Sequence, residues 1–392
     1  MKVLLTISRV VVGLLFIFSG LVKANDPHGL SYKMQEFFEI WHLTQLNPIS
    51  LASSILMNAF EIIAGFALLI GWRIRLFSWL LLLLILFFTF LTGYTYVTGK
   101  PTNCGCFGDC LPISSKTSFL KDVALTILIG FIFWQRHRIK PVFSGKISAL
   151  LMGIVTVFSF GIQWYALTYL PVVDCLPYKK GNNISEKMKI PPGALPDSFA
   201  IRFVYEKEGQ QFEFAPAELP ADLDNYNYVS RTDKLIRKGN AEPAIKGFAL
   251  TGITDEDSTS IVLSDPYAVI VFCENFDKPF SEWQDELGEI YEAATAKNVP
   301  VYAVTSRREE AISHFASTAF AGIPVFVCDY TAIRTAARTN PCFYLLKEGT
   351  IIEKEGHKRA GKIEDRINAL PAQAKTIPPP QQDTIQSDTL NP

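Results

Sequence analysis

Apolar and polar positions divide this chain sharply at about residue 175. Before it, five long apolar runs stand out: Val3–Val22, Leu51–Trp72, Leu76–Val97, Phe119–Trp134 and Ile147–Leu170. A helix that crosses a bilayer needs about 20 apolar residues, and four of the runs reach that length. The fourth is shorter and must take turns from its flanks. The run Trp79-Leu-Leu-Leu-Leu-Leu-Ile-Leu-Phe-Phe is apolar on every helical face, the pattern of a helix surrounded by lipid or by other helices. No small-residue cleavage site follows the first run at Leu-Val-Lys-Ala-Asn-Asp, so it reads as a retained helix. Between the first two runs, Tyr32–Trp41 has apolar residues at helical spacing. It fits an amphipathic helix on the membrane surface or a loop helix packed on the bundle.

After the fifth run, Pro171–Gly181 is a short linker carrying Cys175. The second half then reads as a soluble domain. Ala200–Tyr205 and Gln211–Phe214 pattern as a hairpin, followed by a polar stretch to about Pro243. Strands are expected at Phe248–Thr251, Tyr267–Phe272, Val299–Thr305, Phe343–Leu346 and Ile351–Glu355. Helices are expected at Ser281–Lys297, Arg307–Ser317, Tyr330–Arg338 and Lys362–Leu370. Strands alternating with helices, closed by a hairpin, predict a mixed α/β sheet. The tail from Lys375, with its Pro-Pro-Pro-Gln-Gln, has the composition of a disordered segment. The expected units are 1–140, a membrane bundle; 141–180, a fifth span and linker; 181–244, a hairpin with an irregular extension; 245–372, the α/β domain; and 373–392, the tail.

Charge sets the expected orientation. Lys2, Arg9, Arg73, Arg75, Arg136, Arg138 and Lys140 fall on one side of a five-span arrangement, which the bias of basic residues assigns to the cytoplasm. Lys23, Lys33, Lys100, Lys116 and Lys121 lie opposite, so the bias is moderate. The loop before the fourth span and the soluble domain are then expected in the periplasm of an inner-membrane protein, where disulfides persist. The formal net charge of -1 gives no reason to expect nucleic acid as a partner. The expected partners are the lipid bilayer and a periplasmic protein client.

The candidate chemistry lies first in the cysteines. Cys104, Cys106 and Cys110 crowd into one loop at a membrane face, and Cys175 lies on the same face. The four admit three uses: thiol–disulfide exchange, structural bridges that pin the loop, or a four-thiolate zinc site. A Cys-x-Cys disulfide closes a small strained ring that is easily reduced, which suits exchange between Cys104 and Cys106. Cys110 and Cys175 then form a resolving or structural pair. Glu61, well inside the second span, is a functional candidate because a carboxylate there is costly. It can stay protonated, pair with Lys23 near the outer face, hold a quinone head group, or be a satisfied bundle residue. Lys121 and Asp122 read as interfacial caps of the fourth span. In the soluble part, Cys273 and Cys342 are either a cross-strand pair or two independent buried thiols, and Cys328 reads as core. The five histidines show no metal-ligand spacing.

Three of these features carry a resemblance. Phe18-Ser-Gly-Leu-Val-Lys23, Glu61 followed by Gly65, and Cys104-Gly-Cys-Phe-Gly108 make residues 1–135 similar to the DoxX and methylamine-utilisation MauE group. That resemblance implies a four-helix membrane core. DoxD-type relatives are linked to quinone-coupled oxidation of sulfur compounds, and MauE to maturation of a disulfide-rich periplasmic enzyme. Residues 245–370 resemble a thioredoxin-like domain, through the strand Tyr267–Phe272 leading into the helix at Ser281 and through Thr339-Asn-Pro341 leading into a hairpin. The whole resembles DoxX-type fusions of Bacteroidetes. Where a thioredoxin carries Cys-x-x-Cys, this chain has Asp277-Lys-Pro-Phe280, so no thiolate is available there for dithiol exchange. The expected function is therefore periplasmic thiol–disulfide redox, passing electrons from the loop cysteines to a membrane acceptor such as quinone. The competing expectations are a non-catalytic membrane anchor and assembly factor whose thioredoxin-like domain binds a partner, and a small-molecule carrier that rests on Glu61 alone.

Overall fold

The computed structural model describes residues 2–373, apart from 102–107, 109, 112, 197, 221, 238, 240, 278 and 317. The membrane part consists of α1 (Lys2–Ala24), α2 (Pro27–Ile40), α3 (Ser50–Ile70), α4 (Ile74–Thr98), α5 (Ser115–Trp134) and α6 (Gly145–Tyr169). All but α2 belong to helices long and apolar enough to cross a membrane. The fifth of these elements gains its length at the N-terminus: α5 starts at Ser115, capped by the Ser114 hydroxyl, which accepts from Thr117 N at 3.2 Å. The outer faces of α4 and α6 leave Leu83, Phe90, Val157 and Trp164 exposed. With no hydrophobic penalty in lipid, such faces are stable only in a bilayer.

Helix boundaries follow local chemistry. Gly71, at φ 71°, supplies the left-handed residue that closes α3 and turns the chain directly into α4. Asp26 caps α2, accepting from Gly29 N at 3.1 Å, and Pro27 opens its first turn. Of the two expectations for the Tyr32–Trp41 segment, packing on the bundle is what occurs: α2 lies against α3, and its Phe37 is buried.

The second half begins with the one-turn α7 (Ile184–Lys187) and a three-stranded antiparallel sheet of β1 (Ser198–Lys207), β2 (Gln210–Phe214) and β3 (Asn227–Arg237), ordered β2-β1-β3. The hairpin is where the sequence places it, but β3 lies in the stretch read as polar and irregular. Then follow α8 (Thr259–Ser264), β4 (Ala268–Cys273), α9 (Gln284–Ala296), β5 (Val301–Thr305), α10 (Arg308–Ala316), β6 (Val325–Val327), α11 (Tyr330–Ala336), β7 (Cys342–Lys347), β8 (Thr350–Gly356) and α12 (Gly361–Asn368). Strands β4 to β8 form one sheet in the order β6-β5-β4-β7-β8, parallel among β4, β5 and β6 and antiparallel through β7 and β8. The expected fold class, a helical membrane bundle followed by an α/β domain, is the one observed.

The strand expected at Phe248–Thr251 is not formed. Only Thr251 bridges, to Val327 and Asp257, while Phe248 and Leu250 fill the core from irregular backbone. Each face of the five-stranded sheet has its own core. Phe272, Tyr344 and Ile333 lie in one, and Val271, Phe343 and Leu287 in the other.

Candidate functional site

The membrane site begins with glycine. Gly13 and Gly20 of α1 face Gly65 and Ile62 of α3 at backbone contact. A Cβ on Gly65 would come 2.8 Å from Gly13 O, and one on Gly20 would come 3.0 Å from Ile62 N. Small residues let two helices approach this closely in a membrane. The approach brings Lys23, in the last turn of α1, onto Glu61 in the middle of α3, and their side chains form a buried ion pair. The Lys23 ammonium also lies 4.9 Å from the centre of the Phe88 ring of α4. Glu61 uses one oxygen for Lys23, while its buried Oε2 has no hydrogen-bond partner in the structure.

One turn from Phe88 on the same face of α4, beside Thr92, Asp122 of α5 is 1% exposed. It accepts from Thr92 Oγ1 at 3.0 Å and pairs with Lys121 Nζ at 2.8 Å. This corrects the cap reading of Lys121 and Asp122: α5 begins a full two turns earlier, so Asp122 is carried inward. Lys23, Lys33, Glu61, Thr92, Lys121 and Asp122 line one cavity with Ser19, and its other walls are apolar side chains such as Phe16, Phe88 and Leu125. The cavity holds about 930 Å³ of empty space, counting its mouth. Leu30, Met34, Phe37 and Trp41 of α2 close one side. A mostly apolar cavity with a few convergent polar groups is the usual form of a small-molecule site.

Cys104 and Cys106 lie outside the described residues. Gly108 lies beside Val22, the neighbour of Lys23; a Cβ on it would come 3.8 Å from Val22 Cγ1. Cys110 and Cys175 are joined by a disulfide that closes 65 residues of sequence. The same linker is held to α1 by Asn25, whose amide donates to Val173 O at 2.8 Å and accepts from Val173 N at 3.0 Å. Among the described residues, no group of His, Cys, Asp and Glu is arranged to hold a metal ion.

The cross-strand pairing considered for Cys273 and Cys342 is not formed; both are free and buried. Cys342 is in register with Phe272, so the pleat turns Cys273 to the opposite face. Cys342 belongs to one core and Cys273 to the other. Burial pushes the Cys273 thiol up to about 12 and the Cys342 thiol up to about 11, so neither supplies a thiolate near neutral pH. Cys328 is buried core, as its sequence context indicates.

The soluble domain docks on α2. Arg338, at the end of α11, donates from Nε to the Asp26 carboxylate at 2.9 Å. The guanidinium of Arg334 lies 3.4 Å from the Tyr32 ring centre, and the Tyr32 hydroxyl donates to Glu274 at 3.3 Å. His28 stacks on Tyr32 at 5.5 Å. Burial, together with Arg338 and Arg334, holds its imidazole down to about 3. Sequence spacing assigned His28 nothing, and only the docked partner reveals its setting.

Five apolar spans that expose lipid-compatible faces make this a multi-pass membrane protein. Its residues 1–135 are a MauE domain, matching the family described as Methylamine utilisation protein MauE. Residues 199–238, which cover the three-stranded sheet, match a domain of unknown function, DUF8463. The chain is 27% identical over 161 residues to Protein TlpB of Flavobacterium psychrophilum. That match covers 38% of this chain and 42% of the relative, so the chain spans less than half of that protein's length. No solved structure matches the chain.

Proposed function

We propose that this protein takes part in thiol–disulfide redox at the outer face of the inner membrane, with Cys104 and Cys106 as the exchanging pair and a quinone as acceptor. The observation that carries the reading is the unpartnered Oε2 of Glu61, buried beside Lys23 in a mostly apolar cavity. An orphaned buried acceptor is costly unless something donates to it. A quinol hydroxyl is such a donor, and the ammonium of Lys23 suits a quinone carbonyl. In the reaction, two thiols lose two electrons and two protons to become a disulfide, and the quinone gains both to become a quinol.

The Cys110–Cys175 bridge serves in this reading as the anchor that holds the loop against α1. The α/β domain, which the sequence likens to a thioredoxin, lacks a cysteine at Asp277–Phe280 and is assigned client binding rather than exchange. The MauE match and the TlpB similarity are compatible with this reading and fix neither substrate nor acceptor.

Differential alkylation of Cys104 and Cys106 in native membranes, before and after addition of an oxidised quinone analogue, tests it. Free thiols that convert to a disulfide on adding quinone support the reading. Thiols unchanged by quinone would remove the acceptor, and a bridge that resists mild reductant would remove the exchange.

A further inference from the structure

A second cavity lies where the last span meets the α/β domain, and its charge is not balanced. Its floor is the end of α6, with Tyr165 and Tyr169, and its walls come from the linker after α6, β8 and α12. It holds about 880 Å³ of empty space, counting its mouth. Lys179, Lys180, Lys354, Arg359 and Lys362 line it, against the carboxylates of Asp174 and Glu355. Both carboxylates are already engaged. Asp174 accepts from the buried Lys354 at 2.8 Å, and Glu355 accepts from Lys362 at 2.9 Å. Lys180 pairs with Glu353, on the same strand.

Two cations are left over. Among the described residues, neither Arg359 nor Lys179 has a carboxylate partner. Arg359 is instead held by the aromatic end of the span: its Nη2 donates to the Tyr165 hydroxyl at 2.9 Å, and its guanidinium lies 4.5 Å from the Tyr169 ring centre. Tyrosines at the end of a span sit at the level of the lipid head groups. The guanidinium on them is therefore at phosphate depth, and guanidinium groups suit phosphate oxygens in a two-pronged geometry. Below it, the lipid-facing side of α6 exposes Trp164, Phe158 and Val157, a track for acyl chains.

We propose that this cavity binds the phosphate of an anionic phospholipid from the leaflet on the soluble-domain side. The lipid neutralises Arg359 and Lys179 and fixes the α/β domain at a set height above the bilayer. The proposal is independent of the redox reading.

Native mass spectrometry of the purified full-length protein tests it, with phosphatidylglycerol and phosphatidylcholine of identical chains as probes. The expected result is retention of phosphatidylglycerol at least about tenfold above phosphatidylcholine. The Arg359→Gln/Lys179→Gln variant should fall to the phosphatidylcholine level, while Arg359→Lys keeps part of the preference. Equal retention of the two lipids by the unaltered protein would overturn the proposal, and needs no variant to fold. An undiminished preference in a folded double variant, judged by an intact Cys110–Cys175 bridge, would also overturn it. A third arm adds inorganic phosphate alone: if phosphate binds and no lipid preference is seen, the site takes free phosphate and the lipid assignment fails.

Discussion

Replacing Lys23 by methionine keeps the length of the side chain and removes its charge, leaving Glu61 as a buried carboxylate with no counter-cation. The structure sets the size of the effect. Lys23 is 3% exposed and Glu61 1% exposed, so solvent screening contributes little. Breaking such a pair from one side costs about 3–5 kcal/mol, against about 1 kcal/mol or less for a pair in water. With a shift of roughly 2–4 °C per kcal/mol, the Lys23→Met protein should unfold about 10 °C below the parent. The companion Lys23→Met/Glu61→Leu protein removes both charges and should recover most of that loss, because an apolar pair of similar volume suits an apolar cavity. The assay is thermal unfolding of the full chain in one detergent for the parent, both single variants and the double variant. The two mutations should couple by at least about 2 kcal/mol. Single variants within about 0.5 kcal/mol of the parent, with additive effects in the double, would mean that the cavity is wet and the pair exposed. The argument for a ligand at Glu61 would then fall with it.

Four further outcomes are expected. Peptide mapping without reductant should recover a linked peptide containing Cys110 and Cys175. Cys175→Ser should lower stability by about 4 kcal/mol, since the bridge closes 65 residues, and an unchanged unfolding temperature would refute the anchoring role. Gly65→Ala should cost about 1–3 kcal/mol, because its Cβ would meet the Gly13 carbonyl oxygen at 2.8 Å and the backbone there cannot swing aside; an unchanged unfolding temperature would mean that α1 and α3 are not in backbone contact. Acid should loosen the docked domain through His28. The folded imidazole is held down to about 3 while an unfolded one titrates near 6.5, so its contribution is complete above about pH 6.5 and is lost as pH falls toward 3. Between pH 6.5 and 5 the loss is about 2 kcal/mol, and a His28→Gln protein should show a flatter stability profile over that range; the same slope in both proteins would exclude His28 as the source.

The spans were legible because a bilayer demands length and apolarity on every face, and Leu76–Val97 offers little else. The central strands were legible for a similar reason: Ala268–Cys273 is buried on both faces and reads as a continuous apolar run. By contrast, β3 was hidden, because Asn227–Arg237 lacks the two-residue alternation of a half-buried strand: the polar run Ser230–Lys234 separates Tyr228-Val229 from Leu235-Ile236. Glu61 and Lys23 were legible as a costly carboxylate and a nearby cation. Asp122 was not, because its depth depends on where α5 begins, and that is set by the Ser114 cap rather than by the apolar run itself. The Cys273 and Cys342 positions were legible as neighbours, but the face each thiol points to depends on strand register. One residue of offset separates them into different cores.

The position of α2 joins the two halves of the molecule. One face of this helix closes the cavity, with Leu30, Met34, Phe37 and Trp41 toward Lys23 and Glu61. Its N-terminal half carries the contacts with the α/β domain: Asp26 to Arg338, Tyr32 to Glu274 and Arg334, and Gln35 to Arg334. A short amphipathic helix gains little stability from its own backbone and takes its place from what it packs on. Whatever shifts α11 of the soluble domain therefore bears directly on the wall of the membrane cavity. Under the proposed function, a client on the α/β domain and a ligand beside Glu61 would both bear on α2, and any coupling between them is equal in the two directions. Cutting the Asp26–Arg338 link with Arg338→Gln should reduce that coupling while leaving the Lys23–Glu61 pair intact, because the pair is held by the glycine contact of α1 with α3 and not by α2.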